Sequence, residues 1–318
     1  MRKLIVLGVI LVGVWGLGAF GVTRGVDAAL NALRTEGWAI EGNPEIALSP
    51  ALLGSTIGPV SAISPAGWWR GETDTLSVGL RSLAPTTLQT TISAPATIGA
   101  ANAPVTLTDG AITANLRVGV RANAPVRLFE LSSARASLEG ALPIKGWDQF
   151  EFEALEIADG QFALTGQLAQ VPLSEQLRTS IDPNGAHPPA IESIALVGSV
   201  TFDGPFSLAD DRPKYLTQIN IDTFTTTWGD VALAANGTLD IDANGVPTGV
   251  LTFNISGANT IIDLLTETGA IPREVAPNYR AVVAGMTAAD GTLALPITLR
   301  GGRMSVGFIP LGPTPIFR

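Results

Sequence analysis

The sequence predicts a mostly β fold with peripheral helices, an α+β arrangement in which an extended or curved antiparallel sheet follows one N-terminal transmembrane helix. Three observations support this prediction. Residues 4–22 form an uncharged apolar run, 35 glycines and 22 prolines act as turn signals without a fixed period, and alternating apolar and polar residues follow several of these turns. An apolar content of 46% is sufficient for a packed core.

Composition excludes several classes of function. The chain has 28 acidic and 19 basic residues, so no basic excess is present to neutralise nucleic acid phosphates. The absence of cysteine rules out disulfides, thiolate nucleophiles and cysteine-ligated metals, and one histidine cannot build a histidine-rich metal site. We expect no cofactor and no nucleic acid partner.

The apolar run 4–22 is long enough to span a bilayer, because 19 residues at about 1.5 Å each extend about 28 Å. Arg2 and Lys3 precede it, and the positive-inside rule then keeps the N-terminus in the cytoplasm. We predict that residues 1–22 are an uncleaved signal anchor. The alternative is a cleaved signal peptide, for which Ala19-Phe20-Gly21 supplies small residues.

Two regions are predicted beyond the anchor. Residues 23–38 form a helical stalk, since Val26 and Leu30 begin a series of apolar residues at helical spacing. Residues 39–318 follow as an extracytoplasmic β-rich domain. The turn-rich segment 182–190 is a place where this domain could divide into two halves.

Turn dipeptides that favour positive φ mark predicted strand ends in this domain, and residues alternating with period two follow most of them. In chain order they are Asp109-Gly110, Asp159-Gly160, Asn236-Gly237, Asn244-Gly245, Asp290-Gly291 and Gly301-Gly302. Their spacing is irregular, so we predict antiparallel hairpins and no solenoid repeat.

Three segments with helical spacing interrupt the strands and predict peripheral helices. They cover Leu173–Ile181, Asn259–Thr268 and Pro272–Met286.

The single histidine is the first candidate for catalysis. His187 lies between Gly-Ala and two prolines, which predicts a loop tip, and a Ser-His-Asp triad would have to recruit it from there. No Gly-x-Ser-x-Gly motif supplies a nucleophile.

Carboxylate pairs are the second candidate, because two acids can share general acid and base roles. The acids that could pair are Glu151, Glu153, Glu156, Asp159, Asp210 and Asp211. Solvated strand and loop positions are the favoured interpretation of all of them.

The segment Asp240–Gly245 resembles the first half of a calcium loop, but Leu251 stands where the bidentate glutamate is needed. A β-hairpin turned at Asn244-Gly245 is the favoured interpretation. Its candidate core positions are Leu239, Ile241, Val250 and Phe253.

Trp68 and Trp69 are adjacent, and neighbouring strand residues point to opposite faces. One is therefore predicted in the core and the other exposed. An exposed tryptophan near the anchor could rest at the membrane interface, but ordinary packing is the favoured interpretation.

Two segments carry a family resemblance. Gly237–Phe253 and Leu295–Phe317, together with the apolar N-terminus, resemble an uncharacterised family of bacterial envelope proteins known as domain of unknown function 2125. A looser, fold-level similarity is to AsmA-like envelope proteins, in which a curved sheet offers an apolar groove to lipid. The resemblance implies the inner membrane, with the bulk of the chain in the periplasm. It supplies no catalytic, cofactor-binding or metal-binding residues.

We therefore expect a non-enzymatic, membrane-anchored protein that binds or shields a lipid or another hydrophobic partner, for example another envelope protein. The alternatives are a scaffold or interaction domain without a small-molecule ligand, and a carboxylate-dependent hydrolase. The segment Met304–Phe317 has few charges to solvate it, so it must be buried or meet a hydrophobic partner.

Overall fold

The structure is a computed structural model that describes residues 22–49, 52–82, 84–120, 124–207 and 214–317. It confirms the mostly β, antiparallel prediction, because strands make up 58% of the chain and neighbouring strands run antiparallel. The chain divides into two compact units, Met1–Leu142 and Pro143–Arg318.

The first described element is helix α1, which covers residues 22–35, within the segment predicted as a stalk. The Arg34 guanidinium donates to the carbonyls of Ile40 (3.0 Å) and Gly42 (3.1 Å), which holds the end of α1 against the first strand. The predicted transmembrane run lies outside the described residues except for Val22. Among the helices that the structure describes, none is both long and apolar enough to cross a membrane.

The first unit continues as a series of antiparallel strands. They are β1 (Ala39–Glu41), β2 (Pro44–Ser49), β3 (Leu52–Ile57), β4 (Val60–Ile63), β5 (Trp69–Thr73), β6 (Leu76–Arg81), β7 (Ala84–Ser93), β8 (Ala96–Ala100), β9 (Ala103–Val118), β10 (Val126–Ser133) and β11 (Ala136–Glu139).

These strands belong to two sheets, and each pass of the chain contributes a segment to both. One sheet has the order β2, β3, β6, β7, β9 and β10. The other has the order β1, β4, β5, β8, β9 and β11. The chain therefore enters one sheet each time it leaves the other, and β9 runs through both without a break.

The line between the two sheets is a crease, where neighbouring backbones come into close contact. A Cβ at Gly110 would fall on the carbonyl oxygen of Arg135, and one at Gly58 would fall on that of Asp74. The Ala94 N–H donates to the Gly110 carbonyl across the crease (2.9 Å). Glycine is needed at these positions because a side chain would occupy the space of the adjacent backbone.

The second unit has longer strands and three helices between them. Its elements are β12 (Gly146–Trp147), β13 (Gln149–Ala158), β14 (Gln161–Pro172), α2 (Glu175–Ile181), β15 (Ala190–Phe202), β16 (Leu216–Trp228), β17 (Val231–Ile241), β18 (Pro247–Ser256), α3 (Ala258–Glu267), α4 (Ala276–Met286), β19 (Leu293–Arg300), β20 (Arg303–Val306) and β21 (Ile309–Pro313).

Strands β13 to β21 pair in chain order, so the sheet is an up-and-down meander. The alternating strand direction gives it two ends. The turn end carries the connections at residues 159–160, 242–246 and 301–302, and the helical end carries α2, α3 and α4. Strand β20 stops at Val306, opposite Ile297, so the turn at residues 307–308 points toward the helical end but lies nearer the middle of the sheet. Segment 182–190, suggested by the sequence as a division, lies inside this unit between α2 and β15.

The three helices confirm the sequence prediction with small shifts. Helix α2 begins after Ser174, whose hydroxyl accepts the Leu177 N–H (3.2 Å) as an N-cap. Helix α4 starts at Ala276, later than the predicted Pro272, so that Pro277 falls in its first turn, where a missing N–H costs little.

Four of the six predicted turns are confirmed. Asp159-Gly160, Asn244-Gly245 and Gly301-Gly302 connect adjacent strands, and Asp290-Gly291 turns the chain into β19. The predictions for Asp109-Gly110 and Asn236-Gly237 are wrong, because these dipeptides lie inside β9 and β17.

The two wrong predictions have one physical cause. The glycines do have positive φ, 91° at Gly110 and 145° at Gly237, but the conformation accommodates a close neighbouring strand. A Cβ at Gly237 would overlap the carbonyl of Val250, as one at Gly110 would overlap that of Arg135. A glycine with positive φ therefore marks a bend within a strand as well as a hairpin turn.

The crease can be tested with glycines matched in backbone conformation. Gly110 and Gly291 have φ values of 91° and 84°, but no atom lies within 4 Å of a Cβ built at Gly291. We expect Gly291→Ala to cost about 1 kcal/mol of strain, and Gly110→Ala to cost about 1–3 kcal/mol more because its methyl displaces a backbone. Chemical denaturation of the full chain followed by circular dichroism measures both. Equal losses would show that the crease does not need glycine.

Candidate functional site

One side of the sheet in the second unit is apolar from strand to strand. Its side chains align in rows across β13 to β19, since the register pairs apolar positions with one another. The two central rows are Phe152, Gly166, Leu196, Phe224, Ala235, Phe253, Leu295 and Ala154, Leu164, Gly198, Ile221, Gly237, Leu251, Ile297. We call this side, with the flanking rows through Leu233 and Leu239, the apolar face.

The opposite side of the same strands, the polar face, is rich in threonine, serine, asparagine and glutamine. Direct cross-strand hydrogen bonds connect Ser193 with Thr227 (2.8 Å) and Thr238 with Asn220 (2.7 Å). The contrast between the faces is a property of each strand, because side chains alternate with period two.

A bulge in β16 keeps the rows in register. Ile219 and Ile221 occupy the apolar face in one half of the strand and Phe224 does so in the other, at a spacing of three rather than two. The extra residue lies between Ile221 and Phe224, where the pairing with β17 shifts, and Asp222 there accepts a hydrogen bond from Asn220 (2.7 Å).

The apolar face is buried toward both ends and half-buried in the middle. At the turn end Phe162, Leu239 and Leu299 are buried, and at the helical end Leu293 is buried as well. The large side chains of the central rows are all half-buried. Within the described chain, the middle of this face therefore keeps contact with solvent that a packed second layer would remove.

Aromatic rings close the turn end of the apolar face. Phe202 and Phe206 contact each other edge to face with ring centroids 4.6 Å apart, and both contact Phe162. A pocket of about 430 Å³ lies beside them. It is lined by Phe202, Lys214, Tyr215, Leu216, Asp242, Ala243, Gly245 and Phe317.

The acids singled out in the sequence do not converge. Glu151 and Glu153 lie on the polar face, where Glu151 accepts hydrogen bonds from Gln149 and Gln167 (3.0 Å each). Glu156 pairs with Phe162 and therefore lies on the apolar face, and Asp159 is in a turn. Asp210 and Asp211 lie outside the described residues. In the described ranges, no three metal-ligating acids or histidines come together.

The segment Asp240–Gly245 forms the turn between β17 and β18, which confirms the hairpin interpretation. Asp242 accepts the N–H groups of Val246 (2.9 Å) and Asn244 (2.8 Å), and these donors, Val246 first, lower the pKa of its carboxyl. Asp240 lies on the polar face and accepts from Gln218 (2.8 Å).

Three of the four core positions predicted for this hairpin are on the apolar face: Leu239, Ile241 and Phe253. The prediction for Val250 is wrong, because it pairs with Thr238 on the polar face and is exposed. Val250 and Phe253 are three residues apart, and strand residues an odd number apart point to opposite faces, so the sequence already indicated that they could not share one.

His187 lies in a loop, as predicted, but not at an exposed tip. Its side chain is only 16% exposed and contacts the Trp228 ring at 5.2 Å, and the indole N–H of Trp228 donates to the Pro188 carbonyl (2.8 Å). The flanking prolines correctly predicted a loop, but they could not reveal that His187 packs against Trp228, 41 residues later on β16.

The groups around His187 are not arranged as a nucleophile and base. Asp230 lies 3.8 Å from its Nδ1, and the Thr260 hydroxyl donates to the carboxylate of Asp230 (2.6 Å) rather than to the imidazole. In a hydrolytic triad the hydroxyl must instead donate to the histidine. The Thr260 bond is the main cause that lowers the pKa of Asp230.

Asp182 holds this loop from within. It is 2% exposed, and its carboxylate accepts the N–H groups of Ala186 (3.0 Å) and His187 (2.9 Å). Burial alone would raise the pKa of Asp182, but the N–H donors of His187 and Ala186 and the nearby imidazole outweigh it, so the pKa is lowered.

Trp68 and Trp69, in the first unit, differ in exposure as predicted, although neither lies in the core. Trp68 is exposed, whereas Trp69 is half-buried and contacts Trp38 with ring centroids 5.8 Å apart.

We expect Asp182→Ala to destabilise the protein by about 2–4 kcal/mol, since it removes two bonds to a charged acceptor and leaves buried donors unpaired. The exposed Asp240→Ala is the matched control and should cost under about 1 kcal/mol. Because the folded pKa of Asp182 is lowered, its contribution is complete above its unfolded pKa of about 3.9 and disappears as the pH falls through the folded value. Urea denaturation from neutral to acid pH measures this. A constant difference from wild type down to pH 2 would contradict it.

A family model matches residues 15–315 of the chain, nearly its whole length, and its description is "Uncharacterized protein conserved in bacteria" (DUF2125). A search of curated proteins and a search of solved structures each found no match. The match confirms the resemblance noted in the segments Gly237–Phe253 and Leu295–Phe317. The chain therefore belongs to the DUF2125 family of bacterial proteins.

Proposed function

We propose that this protein binds or shields the acyl chains of a lipid on the apolar face of its second unit. We further propose that it does so in the periplasm, attached to the inner membrane by residues 1–22. The observation behind the proposal is the continuous apolar face, whose central rows are half-buried. Its role is binding, in maintenance of the cell envelope, and not catalysis.

The dimensions of the apolar face suit an elongated apolar ligand. A row crosses β13, β14, β15, β16, β17, β18 and β19, and strands lie about 4.8 Å apart, so it extends roughly 29 Å. This is close to the thickness of a bilayer core, which two opposed acyl chains fill. An AsmA-like groove, expected from the looser resemblance, would have the same character.

The chemistry of the face favours acyl chains over a polar ligand. Phe224, Phe253 and Leu196 offer aromatic and branched surface. Because they are already half-buried, covering what remains exposed contributes only part of the about 1.5–3 kcal/mol that full burial of such a side chain gives. No charged side chain lies in the two central rows. Binding would therefore depend on apolar area and discriminate weakly among lipids of similar chain length.

The proposal can be tested with adjacent residues that point to opposite faces. Benzoylphenylalanine replaces either Leu196 on the apolar face or Val197 on the polar face, in the full chain in bacteria whose phospholipids are labelled with radioactive phosphate. We expect ultraviolet light to yield labelled adducts at position 196 and several-fold fewer at 197. Val197 is apolar and 46% exposed, so accessibility and hydrophobicity alone would favour the control.

A charge on the apolar face should then reduce the adduct at position 196. Phe253→Glu places a carboxylate in the same row, whereas Thr252→Glu places it on the opposite face as the matched control. Limited proteolysis checks that both variants keep the fold. Equal labelling at 196 and 197 would contradict the proposal, and crosslinks at 196 to a protein would favour the scaffold function.

The proposed location is tested separately, with alkaline phosphatase, which is active only after export, fused to Arg318. We expect activity in the membrane fraction that resists carbonate extraction, because residues 4–22 have the length and flanking charges of a signal anchor. The same fusion without residues 1–22 is the control and should be inactive. A soluble active form beginning near Val22 would instead establish a cleaved signal peptide.

A further inference from the structure

In the half of the second unit nearer the helical end, apolar side chains are exposed on two separate projections. The first is the turn between β20 and β21, where Phe308 is fully exposed and Ile309 is 67% exposed. The second is α4, on which Tyr279, Val282 and Met286 are between 51% and 59% exposed. In the described part of the second unit these are among the largest apolar groups in contact with solvent.

Topology brings the two projections to the same half of the sheet. Thr287, which follows α4, pairs with Leu293 at the start of β19, and β20 runs back toward that start because it is antiparallel to β19. Strand β20 ends at Val306, which pairs with Ile297, so the turn at Gly307-Phe308 lies beside the half of β19 that is nearer to α4. On α4, spacings of three and four residues place Tyr279, Val282 and Met286 on one side of the helix.

We propose that α4 and this turn dock on the surface of a phospholipid bilayer, with Phe308 and the α4 side chains inserted among the lipids. The inference goes beyond acyl-chain binding on the apolar face, because it rests on these exposed projections alone. Aromatic and apolar groups on protruding turns and helices suit the interfacial region of a membrane.

Charge supports a lipid partner rather than a charged macromolecule. No charged residue occurs from Met304 to Phe317, so the projecting turn cannot form ion pairs with a charged surface. On α4, Arg280 is already paired with Asp263 of α3. Docking would then depend on apolar insertion and respond little to ionic strength.

The edge of the sheet argues against a protein partner that adds a strand, including a second copy of this chain. The outermost strand, β21, contains Pro310 and Pro313, and Pro315 follows it. Proline has no N–H to offer a neighbouring strand and is a common device against edge pairing. A stable protein interface of standard size buries roughly 800 Å² on each partner. A bilayer instead accepts separate insertions, each on its own.

The experiment uses the absence of native cysteine, so that one introduced cysteine takes one fluorophore. The full chain carries the polarity-sensitive dye NBD at Phe308→Cys, Val282→Cys or, as the control at the turn end, Thr248→Cys. Each is reconstituted in vesicles of phosphatidylethanolamine and phosphatidylglycerol with or without doxyl-labelled lipid. We expect doxyl quenching at 308 and 282 to exceed that at 248 several-fold and to persist at high salt.

A dye at position 308 is itself apolar, so the contribution of the native Phe308 side chain is tested with the dye at position 282, in the Val282→Cys background. Phe308→Ser should reduce doxyl quenching at position 282, whereas Val120→Ser, which changes an equally exposed apolar residue of the first unit, should leave it unchanged. Equal quenching at 308, 282 and 248 would overturn the proposal. Protection of 308 and 282 from iodide without doxyl quenching would also overturn it, in favour of self-association.

This outcome is distinguishable from that of the acyl-chain proposal. Loss of doxyl quenching in Phe308→Ser with normal lipid adducts at position 196 would separate docking from binding. Normal docking without adducts at 196 would refute acyl-chain binding and leave the docking surface in place.

Discussion

The second unit depends on the register of its strands. Because side chains alternate in direction, a slip of one residue in any strand would exchange the apolar face for the polar one. The bulge between Ile221 and Phe224 shows how closely the register is controlled: the sequence of β16 changes its alternation at that point, and one extra residue restores it. On the polar face, the cross-strand hydrogen bonds Ser193–Thr227 and Thr238–Asn220 stabilise the same alignment. The apolar rows, and any ligand surface they form, follow from this alignment.

Glycine provides the second constraint, in both units. At the crease of the first unit and at Gly198 and Gly237 in the second, a Cβ would occupy the position of a neighbouring backbone carbonyl. Glycine interrupts strands at a cost in stability, so its use within them indicates that close backbone contact and bending are requirements of the fold. Within the described strands, glycines therefore serve both to connect strands and to bend them. At Gly110 and Gly237, as at the hairpin turns, φ is positive, so only the strand pairing separates the two roles there.

The sequence predicted local structure well, but it predicted less well which residues pack against one another or share a side of the sheet. Composition and turn signals were enough for the β class, the helices α2 to α4 and the turn at Asn244-Gly245, since these depend on nearby residues. The bends at Gly110 and Gly237 and the packing of His187 on Trp228 depend on partners distant in the chain. The apolar face was partly visible in the alternation of each strand. Its continuity was not, because register and the β16 bulge appear only when strands are paired.

The two apolar surfaces of the second unit differ in a way that suits different tasks. On the apolar face, neighbouring side chains shield one another, so that Phe224 and Leu251 stay half-buried and a solvated face is tolerable without ligand. Phe308 has no such shielding, and a side chain that is fully exposed gains most from a partner that requires no matching shape. A bilayer is such a partner. An acyl chain leaving it would need an apolar path, and β19 and β20 connect the projecting turn to the apolar face through Val306 and Ile297, which pair in adjacent strands. Docking through α4 and the projecting turn would therefore place the open middle of the face within a few residues of its source of lipid.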